Sequence, residues 1–125
     1  MKPSKYRNIK VECDGIHFDS KKERDRYLEL KLLERAGEIK DLTLQPQVKF
    51  CVGGRKVVIR SKGYPNGRQV GYKADFRYTD CRTGQEVWED VKAKVIKGKR
   101  HAVSRDYPLR KAFLEAIYGI QVREV

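Results

Sequence analysis

The sequence predicts a mixed α/β domain in which two helices flank one central sheet. Two segments, residues 20–36 and 104–118, have helical periodicity. Several segments between them alternate apolar and polar residues, as half-buried strands do. The chain has 125 residues, 39% of them hydrophobic, which is enough for one core. A mixed sheet between two helices buries all of these apolar faces together, so residues 1–125 are predicted to form a single domain.

The first 18 residues are predicted to form an arm and a hairpin. Residues 1–10 are basic and contain no apolar run, so we expect a flexible basic arm and not a secretory signal. Residues 10–18 alternate weakly around Val11 and Ile16, with the turn pair Asp14-Gly15 between them. This pattern predicts a short hairpin that leads into the first helix.

The first helix has clear signals at both ends. Ser20 is a good N-cap residue, Glu23 completes a capping-box pattern, and Gly37 fits the left-handed position after a helix. The predicted apolar stripe consists of Tyr27, Leu28, Leu30, Leu32, Leu33 and Ala36. These features predict a helix over residues 20–36.

The next three segments predict strands and a loop. Residues 42–52 alternate in polarity, and Pro46 makes this an edge or bulged strand. Gln45 and Gln47 lie on its polar face and have no assigned role. Residues 56–60 are predicted to be a strand, and residues 63–67 a loop.

The second half of the chain predicts a hairpin, a basic loop, a helix and a last strand. Residues 69–79 form one strand and residues 86–94 the next, joined by a turn at Thr83-Gly84. One face of the first strand is predicted to carry Tyr72, Ala74, Phe76 and Tyr78, with Asp75 on the other. Residues 95–101 are a basic loop, 104–118 the second helix, and 120–125 a final strand.

The charge balance favours a polyanionic partner. Lys and Arg number 29 against 17 Asp and Glu, which gives a net charge of +12. Such an excess attracts nucleic acid, because each contact with a phosphate releases a counterion. No apolar run approaches the ~20 residues that cross a bilayer, so we expect a cytoplasmic protein.

Cysteine and histidine usage argues against two other classes of protein. The three cysteines, Cys13, Cys51 and Cys81, are far apart in sequence. The two histidines, His17 and His101, are isolated as well. This spacing argues against both a disulfide framework and a structural zinc site.

The segment from Val87 to Lys92 carries the strongest chemical signal. Alternation along a strand puts Asp90 and Lys92 on one face beside Trp88, and Glu89 on the other face. Hairpin pairing would bring Asp75 near Asp90. Two carboxylates a few ångströms apart can bind Mg²⁺ or Mn²⁺, which can polarise a phosphodiester, and a lysine beside them can stabilise the charge that develops.

Two motifs resemble those of PD-(D/E)XK nucleases. Asp75 followed by Asp90-Val91-Lys92 resembles the signature itself, although Ala74 replaces the proline usually written before the first acid. The stretch from Phe18 to Glu23 resembles the F-x-S-x-x-E opening of the first helix in branches that include Holliday-junction resolvases and transposon end-cleaving subunits. Over most of its length the chain is similar to a phage and prophage family of small predicted nucleases.

The resemblance implies a fold, an activity and a set of residue roles. The fold would be a restriction-endonuclease-like core of αβββαβ order, and the activity Mg²⁺-dependent hydrolysis of DNA. Asp75, Asp90 and the backbone carbonyl of Val91 would bind the metal, Lys92 would be the catalytic lysine, and Glu23 would reach the metal directly or through water. It also implies a phage or prophage origin in a bacterial cell and a homodimer. Because a domain of this length has little room for a separate recognition module, we expect recognition of branched or junction DNA, or a replication or recombination partner.

Basic residues after Lys92 are candidates for phosphate contact, because they would lie over the active site. The predicted nucleic-acid-binding residues are Lys94, Lys97, Lys99, Arg100, Arg105 and Lys111.

Several alternatives stay open. Glu23 could serve only as a helix cap, and Asp75 could pair with Lys73 or Arg77. The whole chain could be a non-catalytic nucleic-acid-binding module on a decayed nuclease fold, or a phage scaffold or regulatory protein. The sequence does not distinguish DNA from RNA as the substrate.

Overall fold

The computed structural model describes residues 10–92 and 107–125, and these form a mixed α/β fold. The two helices are α1 (Lys21–Arg35) and α2 (Tyr107–Tyr118). The strands are β1 (Val11–Cys13), β2 (Ile16–Phe18), β3 (Ile39–Leu44), β4 (Gln47–Lys49), β5 (Cys51–Val52), β6 (Arg55–Lys56), β7 (Val58–Ser61), β8 (Tyr64–Gln69), β9 (Gly71–Lys73), β10 (Phe76–Asp80), β11 (Glu86–Asp90) and β12 (Val122–Glu124). Within the described ranges, neither helix is long and apolar enough to cross a membrane.

The main sheet has four strands in the order β12-β11-β10-β3. β10 is antiparallel to both β11 and β3, whereas β12 is parallel to β11, so the sheet is mixed. The helices and main-sheet strands follow one another along the chain as α1, β3, β10, β11, α2 and β12. The predicted mixed sheet with two helices is therefore confirmed.

Helix α1 begins and ends where its local signals predict. The Ser20 side chain accepts a hydrogen bond from the Glu23 N–H at 3.1 Å. At the other end Gly37 has φ +78°, and the Glu38 N–H donates to the Leu33 carbonyl at 3.0 Å, which is the pattern of a Schellman motif. The short β1–β2 hairpin before the helix was also predicted.

The two faces of the main sheet have separate cores. One core, on the α1 side, consists of Phe18, Tyr27, Leu30, Ile39, Phe76 and Tyr78. The other, on the α2 side, consists of Phe50, Tyr72, Ala74, Trp88 and Leu114. The predicted common face for Tyr72, Ala74, Phe76 and Tyr78 is therefore wrong. The chain leaves the strand conformation at Ala74 and Asp75, which moves the later residues to the opposite side of the sheet.

The predicted helix stripes are partly wrong as well. On α1, Leu28 is 41% and Leu32 is 63% exposed, because the core contact is restricted to the side that carries Tyr27 and Leu30. On α2, the sequence predicts an apolar stripe of Tyr107, Leu109, Ala112, Phe113, Ala116 and Ile117, but the fully buried residue is Leu114.

Two predictions between residues 42 and 67 need correction. Residues 42–52 are divided at Gln45, which has φ +51°, so that β3 joins the main sheet while β4 pairs with β9. Residues 63–67 lie mostly in β8, which pairs with β7. An irregular register and the left-handed Gly67 (φ +81°) accommodate Pro65 in this exposed ribbon.

The predicted strand over residues 86–94 ends at Asp90. Residues 93–94, the basic loop 95–101, the first residues of the predicted second helix and most of the predicted arm lie outside the described residues.

Candidate active site

Asp75 and Asp90 lie in contact where β10 begins and β11 ends. The Asp75 N–H donates both to the Glu89 carbonyl at 3.1 Å and to Asp90 Oδ1 at 3.2 Å. In return, the Val91 N–H donates to Asp75 Oδ2 at 2.8 Å. Each carboxylate is thus anchored by a backbone N–H of the neighbouring strand. The predicted hairpin pairing brings the two acids together in this way.

The environment of Asp75 is unfavourable for its negative charge. Burial raises the pKa of the Asp75 carboxyl, and the charges of Asp90 and Asp19 raise it further. The Val91 N–H and the Lys92 ammonium lower this pKa without cancelling the effect of burial. Arg77, one rival partner for Asp75, instead lies 3.8 Å from Glu86 and over the Trp88 ring.

Glu23 is a third acid at this place. It occupies the first turn of α1, and its side chain is only 7% exposed. Burial raises its pKa to about 7, and the negative charges of Asp75, Asp19 and Asp90 contribute to this rise, whereas a backbone hydrogen bond at Asp19 opposes it. The Ser20 side chain caps the helix at the Glu23 N–H, and Glu23 lines one cleft together with Asp75.

A cleft of about 340 Å³ opens beside Glu23 and Asp75. Its lining residues are Ile16, His17, Phe18, Glu23, Leu44, Gln45 and Asp75. Gln45, which had no assigned role, lies in this lining, and its N–H donates to the Asp75 carbonyl at 2.9 Å. The cleft therefore gives solvent and small ligands access to two of the predicted acids.

Two tyrosine hydroxyls hold the Asp90 carboxylate. Tyr72 and Tyr107 both donate to Asp90 Oδ2, the latter at 2.7 Å. Burial and the neighbouring Asp90 charge raise the pKa of both phenols, so each keeps its proton and remains a donor. Asp90 itself is 7% exposed, and these hydrogen bonds compensate for its burial.

Lys92 lies just beyond the end of β11 and reaches the site through Tyr107. Its ammonium donates to the Tyr107 hydroxyl, lies 3.7 Å from the centroid of that ring, and is 3.8 Å from Glu124 Oε1. One hydroxyl therefore separates Lys92 from Asp90. The prediction that Lys92 lies within the strand is wrong, because β11 ends at Asp90. The next N–H, that of Val91, donates to the Asp75 carboxylate and not to a backbone carbonyl of β10.

Glu89, the acid next to Asp90 in β11, has a structural role. It is fully buried on the α1 side and receives two hydrogen bonds from Arg26, at 2.8 and 2.7 Å. The Tyr78 hydroxyl also donates to Glu89, and burial together with this bond raises the pKa of Tyr78 to about 12. Glu89 therefore holds α1 against the sheet and faces away from Asp90, as strand alternation predicts.

Of the predicted nucleic-acid-binding residues, only Lys111 is described. Its ammonium lies 2.9 Å from Glu124 Oε1 and 5.5 Å from the centroid of the Tyr107 ring. Hydrogen bonding to Lys111 lowers the pKa of Glu124. The other residues, Lys94, Lys97, Lys99, Arg100 and Arg105, lie outside the described residues.

The acids that could hold a metal ion do not form a complete ligand set by themselves. In residues 10–92 and 107–125, no three His, Cys, Asp or Glu side chains are grouped closely enough to hold an ion. Mg²⁺ does not require such a group, since it is usually bound by one or two carboxylates, waters and substrate phosphates. Burial is the main cause of the raised pKa values of Glu23 and Asp75, and the neighbouring negative charges add to it, so a cation at this place would stabilise both carboxylates.

Three residues of this site, Tyr72, Tyr107 and Asp19, were missed as participants. Tyr72 and Tyr107 resemble ordinary core positions in sequence. Asp19 had the best available signal, since it precedes the helix cap and lies within one turn of Glu23.

One of three comparisons with known proteins found a match. A family model described as "Protein of unknown function (DUF1064)" matches residues 3–115, which is most of the chain. No curated protein and no solved structure matches.

Proposed function

The chain belongs to the DUF1064 family, and we propose that it is a metal-dependent endonuclease that hydrolyses phosphodiester bonds of DNA through a PD-(D/E)XK site. The observation that carries the proposal is the contact between Asp75 and Asp90, beside a cleft that Asp75 lines together with the buried Glu23. Burial raises the pKa of the Glu23 and Asp75 carboxyls, and carboxyls perturbed in this way beside a cleft are typical of functional sites.

The order of elements supports a restriction-endonuclease-like core. The helices and main-sheet strands follow the order αβββαβ, which the motif resemblance implies. The two candidate acids lie on the hairpin formed by the second and third strands of this order, β10 and β11, as the signature requires. Fold order and motif position therefore favour the same class of protein.

Asp75, Asp90 and the Val91 carbonyl are the groups that would hold Mg²⁺ or Mn²⁺, with Glu23 joining directly or through water. A bound divalent ion would polarise the phosphodiester and lower the pKa of an attacking water. Glu23, with a pKa of about 7, can hold or release a proton near neutral pH in the cleft that it lines.

Lys92 would stabilise negative charge on the phosphate or orient the attacking water. Its ammonium is held by the face and hydroxyl of Tyr107, one hydroxyl away from Asp90. A small movement of this flexible side chain could direct the ammonium to a bound phosphate. Tyr107 is thus a positioning residue for both Lys92 and Asp90.

The substrate class follows from charge and size. A domain of 125 residues has little surface for reading a long sequence, so recognition of branched or junction DNA is the more economical proposal. Cleavage of both strands of a duplex would need two copies of one site, which is a reason to expect a homodimer on such substrates.

The test is cleavage of labelled linear, branched and single-stranded DNA, with RNA of the same sequences, in Mg²⁺, in Mn²⁺ and in EDTA. Asp90→Asn and Lys92→Met remove the two charges and keep side-chain size. Asp41→Asn and Lys40→Met are matched controls, because they remove the same two charges from exposed positions in the half of β3 that is remote from Asp75. Thermal unfolding of each variant checks that it is folded.

Metal-dependent cleavage that is lost in the two site variants and kept in the two controls would support the proposal. DNA binding without cleavage under any metal condition would refute it and favour the non-catalytic binding module. Absence of both activities would favour the scaffold or regulatory protein.

A further inference from the structure

The segment between Asp41 and Asp75 has an unusual charge distribution. The chain contains 17 acidic residues, yet none of them falls between these two positions. Seven basic residues do fall there, namely Lys49, Arg55, Lys56, Arg60, Lys62, Arg68 and Lys73. A surface that serves only solubility usually mixes both signs of charge. The segregation indicates a surface for a polyanion.

This segment folds into the β-ribbon β5–β8 and its attachment to the sheet. The attachment is made by backbone hydrogen bonds among Phe50, Val57 and Val70, each of 2.8 to 3.0 Å. At Gly71 the backbone approaches β4 so closely that an added Cβ would lie 2.4 Å from the Val48 carbonyl oxygen. The ribbon is therefore held firmly against β4 and β9.

A groove of about 500 Å³ runs between the ribbon, β4, β9 and α2. We call this the ribbon groove; its lining residues are Gln47, Lys49, Ile59, Tyr64, Arg68, Gln69, Val70, Gly71, Tyr72, Lys73 and Arg110. Four of these are basic and none is acidic. The groove is thus positively charged along its length, with amide side chains that can also contact phosphates.

The ribbon groove also presents an aromatic surface. Tyr64 is 39% exposed, and the Arg68 guanidinium lies 5.5 Å from the centroid of its ring. Arg68 also donates to the Tyr64 hydroxyl at 3.0 Å, which fixes the two side chains together. A basic groove with an exposed ring is the combination that binds single strands, since phosphates follow the charges while a base stacks on the ring.

One lining residue, Tyr72, connects the groove to the candidate active site. Tyr72 lines the groove, and its hydroxyl donates to the Asp90 carboxylate. Arg110, also in the lining, lies one helical turn beyond Tyr107 on α2. A strand that lies in the groove would therefore be separated from Asp90 by the side chain of Tyr72.

We propose that the ribbon groove binds an unpaired strand of DNA and leads it to the carboxylates. This proposal rests on the proposed function and deepens it, because it assigns the substrate class: DNA with an unpaired segment next to the scissile bond. Lys49, Arg68 and Lys73 contact phosphates, and Tyr64 stacks on a base.

The test measures fluorescence anisotropy of single-stranded, duplex and forked DNA in EDTA, so that cleavage plays no part. The groove variant is Lys49→Ala/Arg68→Ala. Its matched control, Lys40→Ala/Arg82→Ala, removes the same charge from exposed positions at the other end of β10. We expect the groove variant to bind single-stranded DNA about tenfold more weakly, with a salt slope reduced by about 1.4, and the control to change affinity less than about twofold.

Tyr64→Ser separates stacking from charge. We expect it to weaken binding of single-stranded and forked DNA about tenfold and to leave duplex binding unchanged. Equal losses for all three DNAs would overturn the assignment of an unpaired strand.

The outcomes distinguish this inference from the proposed function. If the groove variant binds DNA more weakly but the native chain does not cleave DNA with any metal, the groove proposal is supported and the nuclease proposal is refuted. If the native chain cleaves DNA with metal but the groove and control variants bind DNA equally well, only the groove proposal is overturned. A native chain that binds none of the three DNAs would overturn both.

Discussion

The acidic site should reduce the stability of the protein at neutral pH, and Glu23→Gln should relieve this. Glu23 is 7% exposed and faces the charges of Asp75, Asp19 and Asp90. Gln has the same shape and can still accept the backbone hydrogen bond at Asp19, but it carries no charge. We therefore expect Glu23→Gln to be more stable than the native chain at pH 8.

The size of the effect follows from the pKa of Glu23. Its pKa rises from 4.5 to about 7, so the folded protein holds this proton more tightly than the unfolded chain. The contribution of Glu23 to stability is then greatest below pH 4.5, falls as the pH rises to about 7, and is constant above that. Since one pKa unit corresponds to about 1.4 kcal/mol, the native chain loses up to about 3 kcal/mol that the variant keeps.

The assay is urea unfolding followed by circular dichroism at pH 4 and pH 8. Comparing the two pH values removes any pH-independent effect of the substitution. Glu38→Gln, which neutralises an exposed acid just after α1, is the matched control and should show no difference between the two pH values. Mg²⁺ at pH 8 should stabilise the native chain more than it stabilises the Glu23→Gln variant, because the ion would neutralise the charge that the variant lacks.

An advantage of Glu23→Gln that is equal at both pH values, or that is larger at pH 4, would refute this reasoning. Either result would mean that the Glu23 carboxyl is not under electrostatic stress, and the case for a cation at this cluster would lose its physical basis.

Three further predictions concern the surroundings of the site. Arg26→Met leaves the buried Glu89 charge unpaired, so we expect the free energy of unfolding, measured in urea, to fall by about 3–5 kcal/mol. The double variant Arg26→Met/Glu89→Leu should recover most of this loss. A loss below about 1 kcal/mol in the single variant would contradict the buried ion pair. Tyr107→Phe keeps the ring beneath Lys92 but removes the hydroxyl that joins it to Asp90, so single-turnover cleavage should slow at least about tenfold, while stability falls by only about 1–2 kcal/mol; an unchanged rate would exclude the positioning role. Gly71→Ala forces a Cβ to within 2.4 Å of the Val48 carbonyl oxygen and should cost about 1–3 kcal/mol, with a wild-type melting temperature as the contradicting result.

The parts of the fold that the sequence predicts well are those set by neighbouring residues. Both ends of α1 could be predicted, because the Ser20 cap and the Gly37 motif involve contacts within one turn. The strand at residues 64–69 could not, since Pro65, Asn66 and Gly67 favour a turn locally. Only the pairing of β8 with β7, together with a shift in register, makes this stretch a strand.

The candidate site divides in the same way. The contact of Asp75 with Asp90 could be predicted, because a hairpin fixes which residues of its strands are neighbours. The contribution of Tyr107 could not, since it is brought to Asp90 by the packing of α2 on the sheet. The pairing of Arg26 with Glu89, 63 residues apart, likewise depends on how a helix packs on a strand.

The two tyrosines at Asp90 have a thermodynamic consequence for α2. The Tyr107 hydroxyl connects this helix to the carboxylate, so the docking of the helix and the occupation of Asp90 are coupled equilibria. A ligand that displaces this hydroxyl would loosen α2, whereas one that leaves it in place would strengthen its docking. If a ligand changes the equilibrium for docking of α2 by some factor, the docking of α2 must change the affinity for that ligand by the same factor. Hydrogen exchange in α2 would therefore report what binds at Asp90.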